Sequence, residues 1–372
     1  MINPMNIRGH GDHTSARQIP SCACLMQIKP PMPFSVSIGL RCQRQQPHAA
    51  MSSKRLCDDP REISMSEQAR FMMVASPLMQ NSPAFDRAAA LAKAEGAALH
   101  IVAFDYLEGL ATAGMVNEQA LEQMRLGYVE RHRQWLEEQA RPLRKIGVTV
   151  TTEVVWVEKP LQEILIHLKE QPMAVLIKAL EHESLLSRLI FTPLDIHLLR
   201  ECPVPLHFVS NVQHALPRRI VAAVDPFHHD GQYKGFNDRI LREAVKLATA
   251  CNAQVDVIYA HDLSSIGADE FGFDNASAYF SSSNAKTLFD AQGQAFIDLA
   301  ERNGIPPEQR HMVMGNPAKV LASYADAYSI DVIVMGRIGH RGVGRLVGST
   351  VEHLLYKMPC SVWVVSPEVL ED

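Results

Sequence analysis

The feature that most constrains the fold is a repeat. From Phe71 onward, short apolar runs alternate with helical stretches, and from Arg219 the same order begins again. In the first copy the runs are Phe71–Ala75, Leu99–Phe104, Val148–Trp156, Met173–Ile177 and Val204–Val209. Between them lie an Ala-rich helical stretch from Ser82 to Glu95, a charged amphipathic one from Asn117 to Lys145, a helix opened by Lys159-Pro160 and a short helix ending near Arg200. The second copy has runs at Arg219–Val224, Val255–Ala260, His311–Met314, Val332–Met335 and Ser361–Val365. Its helices are Asn237–Cys251 with Asn237 as the expected N-cap, one running through about Asn303 after the looser segment Asp262–Ser282, and Pro317–Tyr328. Two matches fix the internal alignment. Leu198-Leu199-Arg200-Glu201-Cys202-Pro203 lies on Leu354-Leu355-Tyr356-Lys357-Met358-Pro359, and Val74-Ala75-Ser76-Pro77 lies on Ala223-Val224-Asp225-Pro226. Strand-length apolar runs alternating with helices form parallel βαβ units with right-handed crossovers. The sequence therefore predicts two copies of a five-stranded α/β unit, residues 67–212 and 213–372, joined near Asn211–Pro217.

Residues 1–66 do not follow this pattern. They hold Pro30-Pro31, clustered Gln and Arg, few acids and no sustained period, which reads as a disordered extension. Cys22 and Cys24 with His10 and His13 fit no closed zinc-ligand spacing. A transit peptide would be richer in Ser and carry an amphipathic helix. Translation from Met51 or Met65 is the plainer alternative. The seven cysteines of the 372-residue chain form no regular framework, which fits a reducing cytoplasm. A formal net charge of -5 gives no basis for nucleic-acid binding through a basic face, and no apolar run reaches membrane-spanning length.

Chemistry concentrates where Val332-Ile333-Val334-Met335 stops at Gly336. A loop with Gly339, Gly342 and Gly344 follows, and Gly348-Ser349-Thr350 then opens the helical pattern Val351, Leu354, Leu355. Glycines let a backbone approach an anion closely, and a helix start offers free N–H groups at the positive end of its dipole. Arg337, His340, Arg341 and Arg345 add positive charge suited to phosphates, although a solvated face explains them as well. No acid/base pair or Ser-His-Asp arrangement is readable, and the lysine of a P-loop is missing, so no enzyme is expected and fast ATP hydrolysis is not indicated. His228-His229-Asp230 is a poor metal corner because adjacent side chains seldom reach one ion. Cys202 and Cys360 read as packed hydrophobes.

The order of elements, Asp225 closing the first strand of the second copy, and Gly336-x2-Gly339 followed by Gly348-Ser349 resemble the universal stress protein family, in particular its two-domain members. Ile190-Phe191-Thr192-Pro193 and Asp225-Pro226-Phe227-His228 strengthen that resemblance, which covers about residues 68–368. It implies two Rossmann-like α/β domains with five-stranded parallel sheets in the order 3-2-1-4-5. It also implies that the two fifth strands pair antiparallel within one chain, leaving any homodimer to another surface. The function implied is ATP-dependent stress protection in the cytoplasm, with resistance to DNA-damaging agents. The nucleotide would meet Ala223, Val224 and Asp225 at the end of strand one, the Ala260 backbone beside the base, Met335, Gly336, Arg337 and Gly339 under ribose and phosphates, and Gly348, Ser349 and Thr350 as phosphate donors. Read by themselves, Asp225-Pro226 also starts a turn and Ser349 also makes an ordinary N-cap. Mg2+ would enter only with the nucleotide, since no metal ligands are identified. One departure stands out: eight residues separate Gly339 from Gly348, one fewer than in the family's ATP-binding loop. The first copy has Ser76, Ala179, His182 and Thr192-Pro193 at the matching places, so nucleotide binding is expected to be one-sided. The rival readings are a nucleotide-dependent enzyme of the same superfamily and a binder of an apolar ligand in the first copy.

If residues 1–66 lack the apolar surface to offset ordering entropy, limited proteolysis should leave a stable core starting near Gln68. A melting temperature several degrees lower in the truncated chain would show instead that the extension packs.

Overall fold

The computed structural model describes residues 68–106, 118–180, 194–210, 212–226, 235–261, 283–337, 339–340, 346–347, 355 and 359–367. The N-terminal extension and the Asp262–Ser282 segment lie outside them. The first half contains β1 (Arg70–Val74), α1 (Pro83–Glu95), β2 (Ala98–Asp105), α2 (Glu118–Lys145), β3 (Val150–Trp156), α3 (Pro160–Glu170), β4 (Val175–Ala179), α4 (Leu194–Glu201) and β5 (Leu206–Val209). The second contains β6 (Arg219–Ala223), α5 (Phe236–Cys251), β7 (Gln254–His261), α6 (Ser283–Arg302), β8 (Arg310–Met314), α7 (Pro317–Ala327), β9 (Val332–Gly336), the two-residue strands β10 (Gly339–His340) and β11 (Leu346–Val347), and β12 (Ser361–Val365).

Local chemistry sets the helix ends. Pro83, Pro160 and Pro317 occupy first-turn positions, where a missing N–H costs nothing. The Asn316 side chain caps α7 by accepting from the Lys319 N–H at 3.3 Å. Left-handed residues Gly96 and Asn252 close α1 and α5. Asn237 does not act as the N-cap of α5. The helix starts at Phe236 after Gly235, whose φ of 83° only glycine adopts readily, and the Asn237 amide turns back to Asp225. Strand β4 runs on to Ala179, two residues past the apolar run, because Lys178 inside the strand is paired with Asp195 of α4 at 2.9 Å.

Ten strands form one sheet in the order β3-β2-β1-β4-β5-β12-β9-β6-β7-β8. Each half therefore has the 3-2-1-4-5 order, with parallel neighbours throughout. The halves join through β5 and β12, which pair antiparallel with Phe208 opposite Val362, His207 opposite Trp363 and Leu206 opposite Val364. Two apolar layers cover the sheet, and each runs across that joint. One packs α1, α2, α5 and α6 on one face, and the other packs α3, α4 and α7 on the opposite face. Asp331, buried just before β9, pins the connection between halves by accepting from the Arg218 and Arg219 N–H groups at 2.8 and 3.0 Å. His214 reaches the same carboxylate at 3.2 Å, and Arg87 of α1 donates to the His214 carbonyl at 3.0 Å.

At the joint, Nδ1 of His207 lies 3.2 Å from the Val362 carbonyl, which can only accept, so the proton sits on Nδ1. The ring is fully buried. Burial first, and then the charge of Arg87, push the imidazole down to about 3. An unfolded chain binds this proton near the ordinary value of 6.5, whereas the folded chain refuses it until about 3. Stability is therefore lost as pH falls through that window. His207→Leu should show a shallower acid decline of unfolding free energy than wild type between these limits, measured by urea titration at fixed ionic strength. Parallel declines would show that His207 takes its proton inside the fold.

Candidate functional site

In a doubly wound sheet the ligand crevice lies at the carboxyl ends of the strands, where the chain order reverses. In the second half that point is between β6 and β9. Ala223 pairs there with Met335 on one side and Ile258 on the other, and the Val224 N–H donates to the Ile258 carbonyl at 3.1 Å. Asp225 follows at once and is exposed. Its backbone is held from both sides by Asn237, which accepts from the Asp225 N–H at 3.1 Å and donates to the Asp225 carbonyl at 2.7 Å. The turn at the carboxyl end of β6 is thus fixed by an amide on α5. Ala260 reaches the same sheet end on β7. Flanking it, Tyr259 and His261 lie on the other face, with the Tyr259 hydroxyl 3.4 Å from His261 Nδ1. Burial and then the charge of Asp225 push the Tyr259 phenol up to about 12, so it stays a neutral donor.

Gly336 closes β9, paired with Val365. A Cβ built there would come within 2.5 Å of the Phe236 ring and 2.7 Å of Ile240 Cδ1. The glycine is thus required by the first turn of α5 whatever binds outside. In the first half Ala179 takes its place. Counting back from the left-handed caps Gly96 and Asn252, Ala84 stands where Ile240 does, so the helix position that crowds Gly336 in the second half holds a smaller residue in the first. The glycine-to-alanine difference between the halves is thus accompanied by an isoleucine-to-alanine difference on the helix. Arg337, expected beside phosphates, donates Nη1 to the Leu199 carbonyl at 2.7 Å and Nη2 to the Cys202 carbonyl at 2.9 Å, both at the end of α4. Beyond it, Gly339 pairs with Val347 and His340 with Leu346 in a small antiparallel hairpin. Gly348, Ser349 and Thr350 lie outside the described residues, as do His182, Thr192-Pro193, Arg341, Arg345 and His228-His229-Asp230.

At the matching sheet end of the first half, side chains of β2, β3 and α2 contact one another. Asp105, ending β2, accepts from the Tyr106 N–H at 2.8 Å and from the Tyr128 hydroxyl of α2, and lies 3.3 Å from Nε2 of His132. The Tyr128 ring meets Trp156 edge-on at 5.2 Å between centroids, and Tyr106 lies 5.7 Å from the same indole. Burial, with the Asp105 hydrogen bond behind it, raises the Tyr128 phenol above its ordinary range, so this hydroxyl is a donor and not a nucleophile. Nearby, the Lys178 ammonium is neutralised by Asp195 and also donates to the Ala179 carbonyl at 3.2 Å. Among the described residues no group of three or more His, Cys, Asp or Glu side chains could hold a metal ion. Cys202, Cys251 and Cys360 are buried thiols pushed up to about 11, 11 and 12 by burial, which makes them packing groups.

Sequence reasoning thus brought Ala223, Val224, Asp225, Ala260, Met335, Gly336 and Arg337 to one end of one half-sheet. It missed Phe236, Asn237, Tyr259 and His261. The one signal for Asn237, a polar residue at a helix start, points equally well to a cap.

A doubly wound sheet built twice, with a switch point in each half, defines a tandem α/β architecture. The Universal stress protein family model matches residues 74–210 and 218–366, and the chain belongs to that family with two copies of its domain. It is 24% identical to universal stress protein E of Escherichia coli (strain K12) over 309 residues, 82% of this chain and 96% of that protein. Among solved structures it resembles a universal stress protein from Archaeoglobus fulgidus DSM 4304, with a TM-score of 0.55, 16% identity, and 82% and 98% of the two chains covered. A Pseudomonas aeruginosa UCBPP-PA14 structure described as a candidate universal stress protein gives 0.60 at 22% identity, covering 81% and 94%. These structures speak for the fold. No helix of the described residues is long and apolar enough to cross a membrane.

Because Gly336 is fixed by packing, Gly336→Ala should cost about 1–3 kcal/mol even without ligand. Ile240→Ala in that background should return part of the loss, giving favourable coupling in a double-mutant cycle by urea unfolding. Strictly additive costs would place the glycine's role elsewhere.

Proposed function

We infer that the protein acts in a stress response as an adenine-nucleotide binder, taking one ATP in the second half, residues 213–372. The observation that carries this is the contrast between two crevices on one backbone plan. At one, an exposed Asp225 is presented on a turn held by Asn237. At the other, Asp105, Tyr128, His132 and Trp156 close on each other. A carboxylate at the switch point can accept from ribose hydroxyls or an adenine amino group, and glycine-loop N–H groups suit phosphates. Gly339, Gly348, Ser349 and Thr350 would supply that loop, with Mg2+ arriving only on the nucleotide. The first half, residues 67–212, then serves as scaffold. The absence of a readable acid/base pair or a P-loop lysine favours a binder over an enzyme. The rival in which the first half takes an apolar ligand is opposed by the contacts Tyr128 already makes with Asp105 and Trp156 at that sheet end. Cytoplasmic action and resistance to DNA-damaging agents complete the reading, both from the resemblance to two-domain family members.

Calorimetry on the full chain should find one ATP per chain. Asp225→Ala should weaken it by about one to two decades, the worth of charge-assisted hydrogen bonds of roughly 1.5–3 kcal/mol. Two equivalents, none, or indifference to Asp225→Ala would reject the assignment. Survival after DNA damage, restored to a deletion strain by wild type and not by Asp225→Ala, tests the physiological arm.

A further inference from the structure

The helix α4 belongs to the first half, yet both its ends meet chemistry at a crevice. Its first turn carries Asp195, paired with Lys178 at the carboxyl end of β4. Its last turn ends at Cys202-Pro203. In a helix the Leu199 carbonyl would accept from the N–H four residues on, but that residue is Pro203, which has none. The Cys202 N–H is already given to the Leu198 carbonyl at 2.9 Å. Arg337 supplies what the proline removes, its planar fork donating to the Leu199 and Cys202 carbonyls at 2.7 and 2.9 Å. A cation at this position also opposes the negative end of the helix dipole. The Ser366 hydroxyl, just past β12, adds a donor to the Cys202 carbonyl at 3.4 Å.

Arg337 is the residue immediately after Gly336, so the side chain that closes α4 starts the glycine loop of the other half. The hairpin strand β11 within that loop also lies against α4. The arrangement runs one way. The Arg337 N–H donates to the Val365 carbonyl at 2.8 Å, and its counterpart, the Leu180 N–H, donates to the Val209 carbonyl at 2.8 Å. The backbones match, but leucine has nothing to offer a helix end.

We propose that Arg337 is a positioning residue rather than a phosphate ligand: it fastens the glycine loop of the second half to the C-terminus of α4, so that the first half sets where the loop stands. In its nucleotide aspect this rests on the ATP reading above. The strap itself does not.

The test uses the full chain as wild type, Arg337→Leu, Arg337→Lys and the double variant Arg337→Leu/Pro203→Ala. The alanine offers the Leu199 carbonyl a local N–H and restores the helix end without restoring the strap. Amide exchange is read at Leu198, Leu199 and Cys202 for α4, and at Gly339, His340, Leu346 and Val347 for the loop, without nucleotide. Arg337→Leu should speed exchange in both places by about tenfold or more, the equivalent of one charge-assisted hydrogen bond. In the double variant α4 should recover while the loop stays fast, and Arg337→Lys, with one point donor, should fall between. Calorimetry with MgATP should follow the loop and not the helix, so affinity stays weakened in the double variant. Loop exchange unchanged in Arg337→Leu, or loop and affinity both recovering with α4 in the double variant, would overturn the proposal. If wild type binds no ATP, the nucleotide reading fails, and the exchange measurements still decide the strap.

Discussion

Three facing pairs, Leu206 with Val364, His207 with Trp363 and Phe208 with Val362, make the antiparallel joint that fuses two parallel half-sheets into one. Left alone, β5 and β12 would each present a row of unpaired N–H and C=O groups. Pairing them within one chain removes both edges and lets the apolar layers continue across the join. The joint also dictates direction. Strands of the two halves run oppositely, so the carboxyl end of one half-sheet shares a side with the amino end of the other. Two crevices built on the same plan therefore open at opposite ends of the sheet. A helix antiparallel to its strands in the first half must end beside the crevice of the second. The reach of Arg337 to α4 is a consequence of that geometry.

The same joint explains where the polar groups of the interior sit. His207 is held neutral between Trp363 and the Val362 carbonyl, and Arg87 reaches past it to the His214 carbonyl. Asp331 then gathers three donors from the connecting segment. Buried charges need partners, and here the partners are the backbone of the linker and the strand start it leads into. The halves are thus tied by hydrogen bonds with fixed geometry as well as by apolar area, which specifies one relative placement.

Much of the fold was legible because its signals are local and repeated: apolar runs of strand length, prolines at helix starts and the matched Leu-Leu…Pro segments that align the copies. Strand ends were legible to within two residues. Val175–Ala179 was the worst placed, since Lys178 breaks the apolar run and its partner Asp195 lies far along the chain. The site was less legible because its residues act through neighbours that sequence does not bring together. Gly336 read as a ligand-facing glycine, whereas the atoms that exclude a Cβ belong to Phe236 and Ile240. Asn237 read as a cap, whereas its amide closes on the backbone of Asp225. Arg337 read as one of several loop cations, and only the proline at 203 explains what its fork is for.

Repetition of a backbone does not repeat a site. The two halves place equivalent N–H groups on equivalent carbonyls, from Ala98 on Ala69 and Gln254 on Arg218 to Leu180 on Val209 and Arg337 on Val365. With that frame fixed, divergence falls on the side chains at strand ends. Where the second half has Ile240 over Gly336, the first has Ala84 and Ala179 at the matching helix and strand positions, an exchange among apolar side chains that alters no chemistry. Ser76 facing Asp225 is different in kind, since it removes a charge from one crevice, and in the first half the carboxylate appears one strand over, as Asp105, where a tyrosine and a histidine consume it. Leu180 against Arg337 is the third kind, a difference that acts across the joint and not within its own half. On the proposed reading, these differences place ligand chemistry in the second half and leave the first to hold, through α4, the loop that would receive it.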